Sequence, residues 1–422
     1  MRRRIDTRRR VSANAPAPRD AGGGPLLRSV LAAVSRTFPD ITKPVRKNLA
    51  ALVVSFLQVI GAARSGHGRL SLATLYRTLP TDGDAHAREK RLHRFLDNWR
   101  LDARGVTGGL ARMIFGRRGK GYWPILFDQT KSGSSQALFA GVPFEGRTLP
   151  LAAYTFEYPW KETACLSQND IEETFITDVE LALPKGVRPV WIGDRGYARA
   201  SLFEQSGTDG RLYVIRGRGD VCVELGDLRC KLNELRPGVG RAVRYRNVLY
   251  QSHARVRVDV VAFHDPSFQE PWWLIIPSGA EDELPTDVVV ALYRERMRVE
   301  HSFRDFKTHM GLRGLRLKVR ITDRMGRLLL AFCVAYCFAL VLGASTDAEA
   351  ARGDLEIKRR KPRHGTTRTI SVMFLAMIML SHPRWRNRAH ARLRRIAARV
   401  AANKRILSRA PPRITERIAE AA

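Results

Sequence analysis

The stretch YRERMRVEHSFRDFK, residues 293–307, carries the pattern from which the rest of the chain can be read. Tyr293, Arg296, Glu300 and Lys307 lie 3, 4 and 7 residues apart. At 3.6 residues per turn that spacing lays all four along one helical face. Leu292, Val299, Phe303, Phe306 and Met310 follow the 3–4 spacing of a core-facing stripe. An inner stripe of this kind anchors the helix and presents its polar face at a fixed orientation. The competing reading is a solvated helix with i,i+4 ion pairs such as Arg296 with Glu300. A single carboxylate among cations, with a tyrosine on the same line, is better suited to holding a metal ion beside a phosphodiester.

Two further carboxylates lie upstream. Residues 122–127 read as an apolar strand ending at Asp128, Gln129 and Thr130, and residues 189–192 as a second strand ending at Gly193, Asp194, Arg195 and Gly196. Between them come strands at 136–142 and 149–158, joined by a turn at 144–147, and a helix over 168–183. Strands and helix in this order, with Asp after each key strand, predict an α/β layout with a site at one sheet edge. An Asp after a strand is also a common turn former or helix cap. Together with Glu300, however, Asp128 and Asp194 make a hard-oxygen set suited to Mg²⁺ or Mn²⁺. Two such ions about 3.5–4 Å apart can activate an attacking oxygen and steady a leaving one. Arg296 and Lys307 would then neutralise phosphates.

Other chemistries find less support. Residues 116–121 have the flavour of a phosphate loop, but they lack the G-x4-G-K-[S/T] spacing and precede a strand. Neither G-x-S-x-G nor H-E-x-x-H occurs.

Composition names a partner class. In 422 residues, 73 Lys and Arg stand against 41 Asp and Glu, a net charge of +32, and the pI is near 11.0. Such a surface attracts polyanions, nucleic acid above all. The apolar content of 44% is ordinary for a globular protein. Five cysteines without a C-x2-C pair point to a reducing compartment, with Cys333 and Cys337 as core thiols. Six arginines within residues 1–10 are followed by no apolar run, so no secretory signal is predicted. The apolar run at 328–344 reads as a helix buried on all sides, with no second span.

Around this centre, residues 26–114 read as short helices. One covers 47–63, one 70–76 and one 90–99; the last has Leu92, Phe95, Leu96 and Trp99 inward and Lys90, Arg91 and Arg94 outward. A basic outer face on short helices suits DNA contact, although such a unit can also simply cap the next domain. Residues 212–276 read as five strands. From Arg352 to Arg417 there are 19 Lys and Arg against three acidic residues, and Arg392, Arg395 and Arg399 share a helical face.

The order Asp128-x-Thr130, then Gly193 to Tyr197, then Tyr293-x2-Arg296-x3-Glu300-x6-Lys307 resembles the DDE transposases of bacterial insertion sequences. More narrowly it resembles the family-four branch, which the last signature defines. The resemblance covers roughly residues 122–342. It implies a ribonuclease-H-like core with a β-rich insertion, and the helical pattern before it and the basic stretch after it add an N-terminal helical domain and a basic helical C-terminal tail. The corresponding expectation is a disordered basic arm over 1–25, a helical DNA-binding domain over 26–115 and the core over 116–210 and 279–350. The insertion would cover 211–278 and the basic region 351–422. The resemblance also implies metal-ligand roles for Asp128, Asp194 and Glu300, and two Mg²⁺ or Mn²⁺ ions. It implies DNA-end contacts for Tyr293, Arg296 and Lys307, and stacking of a flipped base on Trp272 or Trp273. Arg195, within the second motif, reads as a phosphate contact or a salt bridge. The implied activity is metal-dependent cleavage of transposon ends and strand transfer, by a homodimer on double-stranded DNA in the bacterial cytoplasm. The alternatives are a transposase-derived DNA-binding protein or a related nuclease without strand transfer.

Overall fold

A computed structural model describes residues 23–63, 70–102, 106–117, 119–132, 135–157, 167–306, 322–357 and 370–407. Cys165, Lys307 and Met310 lie outside the described residues. So do residues 1–22, most of the predicted arm.

The described chain opens with helices α1 (Gly23–Thr37), α2 (Lys43–Ala63), α3 (Leu72–Arg77), α4 (Ala85–Leu96) and α5 (Thr107–Phe115). The arm expected over 1–25 therefore overlaps the start of α1. Side chains set two of the helix starts: Ser71 accepts from the Thr74 N–H, and Asp84 from the Ala87 N–H. On α4, Leu92, Phe95 and Leu96 are buried while Lys90, Arg91 and Arg94 are exposed. Trp99, expected to point inward, is 76% exposed, with Arg100 stacked over its ring at 5.2 Å. The helix stops at Leu96, so the 3–4 spacing no longer governs where Trp99 points.

Next come β1 (Gly121–Ser132), β2 (Ser135–Phe144), β3 (Arg147–Glu157), α6 (Gln168–Ala182), β4 (Val187–Gly193) and α7 (Ala200–Thr208). They are followed by β5 (Leu212–Arg216), β6 (Cys222–Leu225), β7 (Leu228–Lys231), β8 (Ala242–Tyr250), β9 (Val256–Phe263) and β10 (Trp272–Pro277). All ten strands share one sheet in the order β3-β2-β1-β4-β5-β10-β9-β8-β6-β7. Strands β1, β4 and β5 run parallel, and the other pairings are antiparallel. This mixed sheet is compatible with a ribonuclease-H-like core. The stretch 211–278 does not form a sheet of its own. Its first strand pairs with β4, and its last, β10, pairs with β5, so the remaining strands lengthen the same sheet. Leu274, Ile275 and Ile276 are completely buried there.

The described chain closes with helices α8 (Thr286–Glu295), α9 (Met297–Arg304), α10 (Thr322–Gly343), α11 (Thr346–Leu355), α12 (Val372–Ser381) and α13 (Pro383–Ala401). Helix α10 packs on β3, α2 and α12, and its residues from Met325 to Gly343 are all buried, Cys333 and Cys337 included. Gly343 is required at the crossing with α12, because a Cβ there would lie 1.8 Å from the Val372 carbonyl oxygen. Where the sequence suggested no second apolar span, α2 is, like α10, long and apolar enough to cross a membrane; both helices are largely buried in the fold.

Helix α13 packs on α1 and α12 through Trp385, Ala389, Leu393, Ile396 and Val400. Of the arginines predicted to share a face, Arg392 and Arg395 reach Asp347 at 3.7 and 2.8 Å. Arg399 donates to the carbonyls of Arg405 and Leu407. Arg384, Arg386, Arg388 and Arg394 are exposed.

Candidate active site

Asp128 comes from β1, though not from its end. The strand runs on to Ser132 because it pairs with β2, where Asp128 faces Phe139. Parallel pairing with β4 stops at Leu126 and Ile192, so Asp128 stands just past the edge of the parallel part. Asp194 follows β4 directly and caps a single 3₁₀ turn. The two aspartates are held alike: Asp128 Oδ1 accepts the Gln129 N–H at 2.8 Å, and Asp194 Oδ1 accepts the Arg195 N–H at 2.6 Å. Gly193, at the end of β4, lets that strand close up on the middle of β1, because a Cβ there would meet the Phe127 ring at 2.7 Å.

Glu300 sits on α9. The expected continuous helix is instead interrupted at Arg296, where α8 ends and α9 begins through i→i+3 bonds from Arg296 N to Tyr293 O and from Val299 N to Arg296 O. The inner stripe is as expected, with Leu292, Val299, Phe303 and Phe306 buried.

Arg296 joins the three carboxylates. Its Nη2 donates to Asp194 Oδ2 at 2.8 Å and to Asp128 Oδ2 at 3.2 Å, and its Nη1 donates to Glu300 Oε1 at 2.6 Å. The sequence placed Arg296 on an exposed, DNA-facing line; the structure turns it inward, 9% exposed, because three negative groups surround it. Burial would lower the Arg296 pKa, yet the Asp128 and Asp194 charges outweigh it and raise the value. Burial pushes the Asp128 carboxyl up to about 6, against the pull of Arg296 and of the Gln129 N–H.

Tyr293 is also buried rather than on a polar face, and burial raises its pKa to about 12. Its ring meets Trp272 at 5.0 Å. Trp272 packs further against Phe263 and Phe268, at 5.8 and 5.0 Å. Trp273 is 8% exposed and donates from Nε1 to the Leu235 carbonyl at 2.9 Å. It borders a cleft of about 720 Å³ lined also by Arg195, Arg199, Arg216, Arg218 and Glu270. Arg195 is exposed there, 4.0 Å from Glu270.

Several residues that hold this arrangement escaped the sequence reading. Glu172 on α6, 3% exposed, takes the Arg199 guanidinium at 2.5 Å and the Gln168 amide at 3.0 Å. Gln168 also reaches Gln129, next to Asp128, at 3.1 Å. The i,i+4 spacing of Gln168 and Glu172 was the available signal. Asp305, fully buried, fastens the end of α9 to Arg147 and Tyr336.

Carboxylates from two strands and a helix thus converge with a basic cleft beside them. Residues 170–338 match the transposase DDE domain family. The matched DDE segment spans Asp194 and Glu300 and begins beyond Asp128. It supports a transposase function in general, that is, an enzyme acting on DNA. Transposases with this domain generally use divalent metal ions. No curated protein matches the chain.

The oxygen donors of Asp128, Asp194 and Glu300 suit Mg²⁺ or Mn²⁺ by chemistry. As they stand, the Arg296 guanidinium occupies their centre. Among the described residues no three acidic, His or Cys side chains are gathered closely enough to hold an ion.

Proposed function

We propose that this chain is a DDE transposase of the family-four kind, cleaving DNA at transposon ends and transferring the freed strand into target DNA. The observation that carries the reading is the convergence of Asp128, Asp194 and Glu300, from β1, β4 and α9, on one guanidinium. These three residues would hold two Mg²⁺ or Mn²⁺ ions, which supply charge stabilisation for in-line displacement at phosphorus.

The chain's own residues do the rest. The backbone N–H groups of Gln129 and Arg195 fix one oxygen of each aspartate and leave the other aimed at the shared centre. Glu300, the most exposed of the three carboxylates, closes the solvent side. Arg195, Arg216 and Arg218 line the neighbouring cleft and would bind phosphates there, fixing the DNA register. Lys307 is the further phosphate contact that the signature supplies. The partner is double-stranded DNA, bound by two copies of the chain in a synaptic complex.

The test is cleavage of DNA carrying the element's ends, in Mg²⁺, by Asp128→Asn, Asp194→Asn and Glu300→Gln. Each variant keeps the side-chain shape and should bind ends while losing cleavage. Retained cleavage would remove that residue from the set.

A further inference from the structure

The Arg296 guanidinium is in the middle of the site rather than on its rim. Its Nη2 bridges Asp128 and Asp194, and its Nη1 holds Glu300. We propose that Arg296 is a built-in counter-ion: it keeps the three carboxylates assembled in the free chain, and it competes with a divalent ion for the gap between Asp128 and Asp194. The inference rests on the reading of these carboxylates as metal ligands and assigns Arg296 a positioning role toward them.

The physical argument has three parts. Three carboxylates brought this close repel one another unless a cation stands between them. Removing the cation leaves buried charge uncompensated, since the Asp128 and Asp194 side chains are only 15% and 31% exposed. A guanidinium and a hard metal ion seek the same oxygens, Asp128 Oδ2 and Asp194 Oδ2, and both cannot take them at full strength. The guanidinium is also not locked from every side. Its Nε is buried without a hydrogen-bond partner among the described residues, so the two Nη groups make its hydrogen bonds to the site. Arg296 sits at the break between α8 and α9, with helical backbone angles of its own.

The experiment measures Mn²⁺ binding to the full chain without DNA, by calorimetry or by loss of free Mn²⁺ signal in electron paramagnetic resonance. Wild type is compared with Arg296→Gln and Arg296→Lys, and each is also made with Asp194→Asn. Melting curves are recorded with and without Mn²⁺. Arg296→Gln should bind Mn²⁺ about fivefold or more tightly than wild type, the lower end of ordinary coupling between sites. It should melt lower than wild type without metal, and the gap should close as Mn²⁺ is added. Arg296→Lys, which keeps the charge but not the fork, should fall between them and serves if the Gln variant is not folded. Unchanged or weaker Mn²⁺ binding in a folded Arg296 variant would overturn the competition, provided that binding depends on Asp194. If no variant shows Asp194-dependent binding, the ligand reading itself fails and the inference goes with it.

Discussion

Arg147, at the start of β3, donates from Nε to Asp305 at 2.5 Å across 158 positions of sequence. The same carboxylate accepts the Tyr336 hydroxyl of α10 at 2.9 Å. One turn earlier, Ser302 Oγ accepts the Thr148 N–H at 2.8 Å. These bonds fasten the end of α9 to the sheet and to the buried helix, and they thereby fix where Glu300 points.

Asp305→Ala should therefore destabilise the fold by about 3–5 kcal/mol, because it strands a mostly buried Arg147 cation and a buried hydroxyl. Urea unfolding monitored by circular dichroism checks this. A loss below about 1 kcal/mol, the range of a dispensable surface pair, would show that α9 is held by its apolar stripe alone.

Asp128 predicts a pH effect on the metal-free chain. Its folded pKa of about 6 lies above the ordinary 3.8, burial being the main cause. The native state thus favours the protonated carboxyl. That contribution to stability is complete below pH 4 and lost as pH rises through 6. Asp128→Asn cannot ionise, so it should be more stable than wild type at pH 7–8, by about 2–3 kcal/mol at most. The difference should vanish near pH 4. Melting curves across that range, in chelator, test the sign; a variant less stable at every pH would refute it.

The adjacent tryptophans should behave differently. Trp272 is enclosed by Tyr293, Phe263 and Phe268, so Trp272→Ala should cost about 3–5 kcal/mol of stability. Trp273 borders the basic cleft. If its ring meets a base there, Trp273→Ala should weaken DNA-end binding by about 1–3 kcal/mol, and Trp273→Phe should largely restore it. Equal loss in the Phe and Ala variants would leave Trp273 as a packing residue.

Helix α13 offers an electrostatic test. Arg386 and Arg394 are exposed on either side of His390, whose pKa is lowered first by burial and then by these two cations. Arg386→Ala with Arg394→Ala should reduce the slope of log K against log salt for DNA binding by about 1–2. An unchanged slope would place the phosphate contacts elsewhere.

Much of this was legible in local spacing. The strand read at 212–216 is β5, and the helix read from residue 168 is α6. Leu292, Val299, Phe303 and Phe306 are buried as their 3–4 spacing required. Asp194 follows β4 where the strand pattern put it, whereas Asp128 lies inside β1, because pairing with β2 carries that strand on to Ser132. Trp99 was misread because a helix end is set by its cap, which periodicity does not show. The strands of the stretch 211–278 were legible as strands, but strand pattern reports pairing potential and not the pairing partner, so their place in the main sheet was not.

Sequence alone determined the charge balance, the acidic side chains and most of the strands and helices, though not the helix ends at Leu96 and Arg296, since these features depend on residue type and on neighbours a turn or two away. Tertiary structure alone decided that Arg296 faces inward. That outcome needed β1 and β4 in parallel register to bring Asp128 beside Asp194, and a helix break at residue 296 to carry the guanidinium between them. No local pattern encodes a contact among residues 128, 194 and 296; the register of the sheet and the packing of α9 against it create that contact.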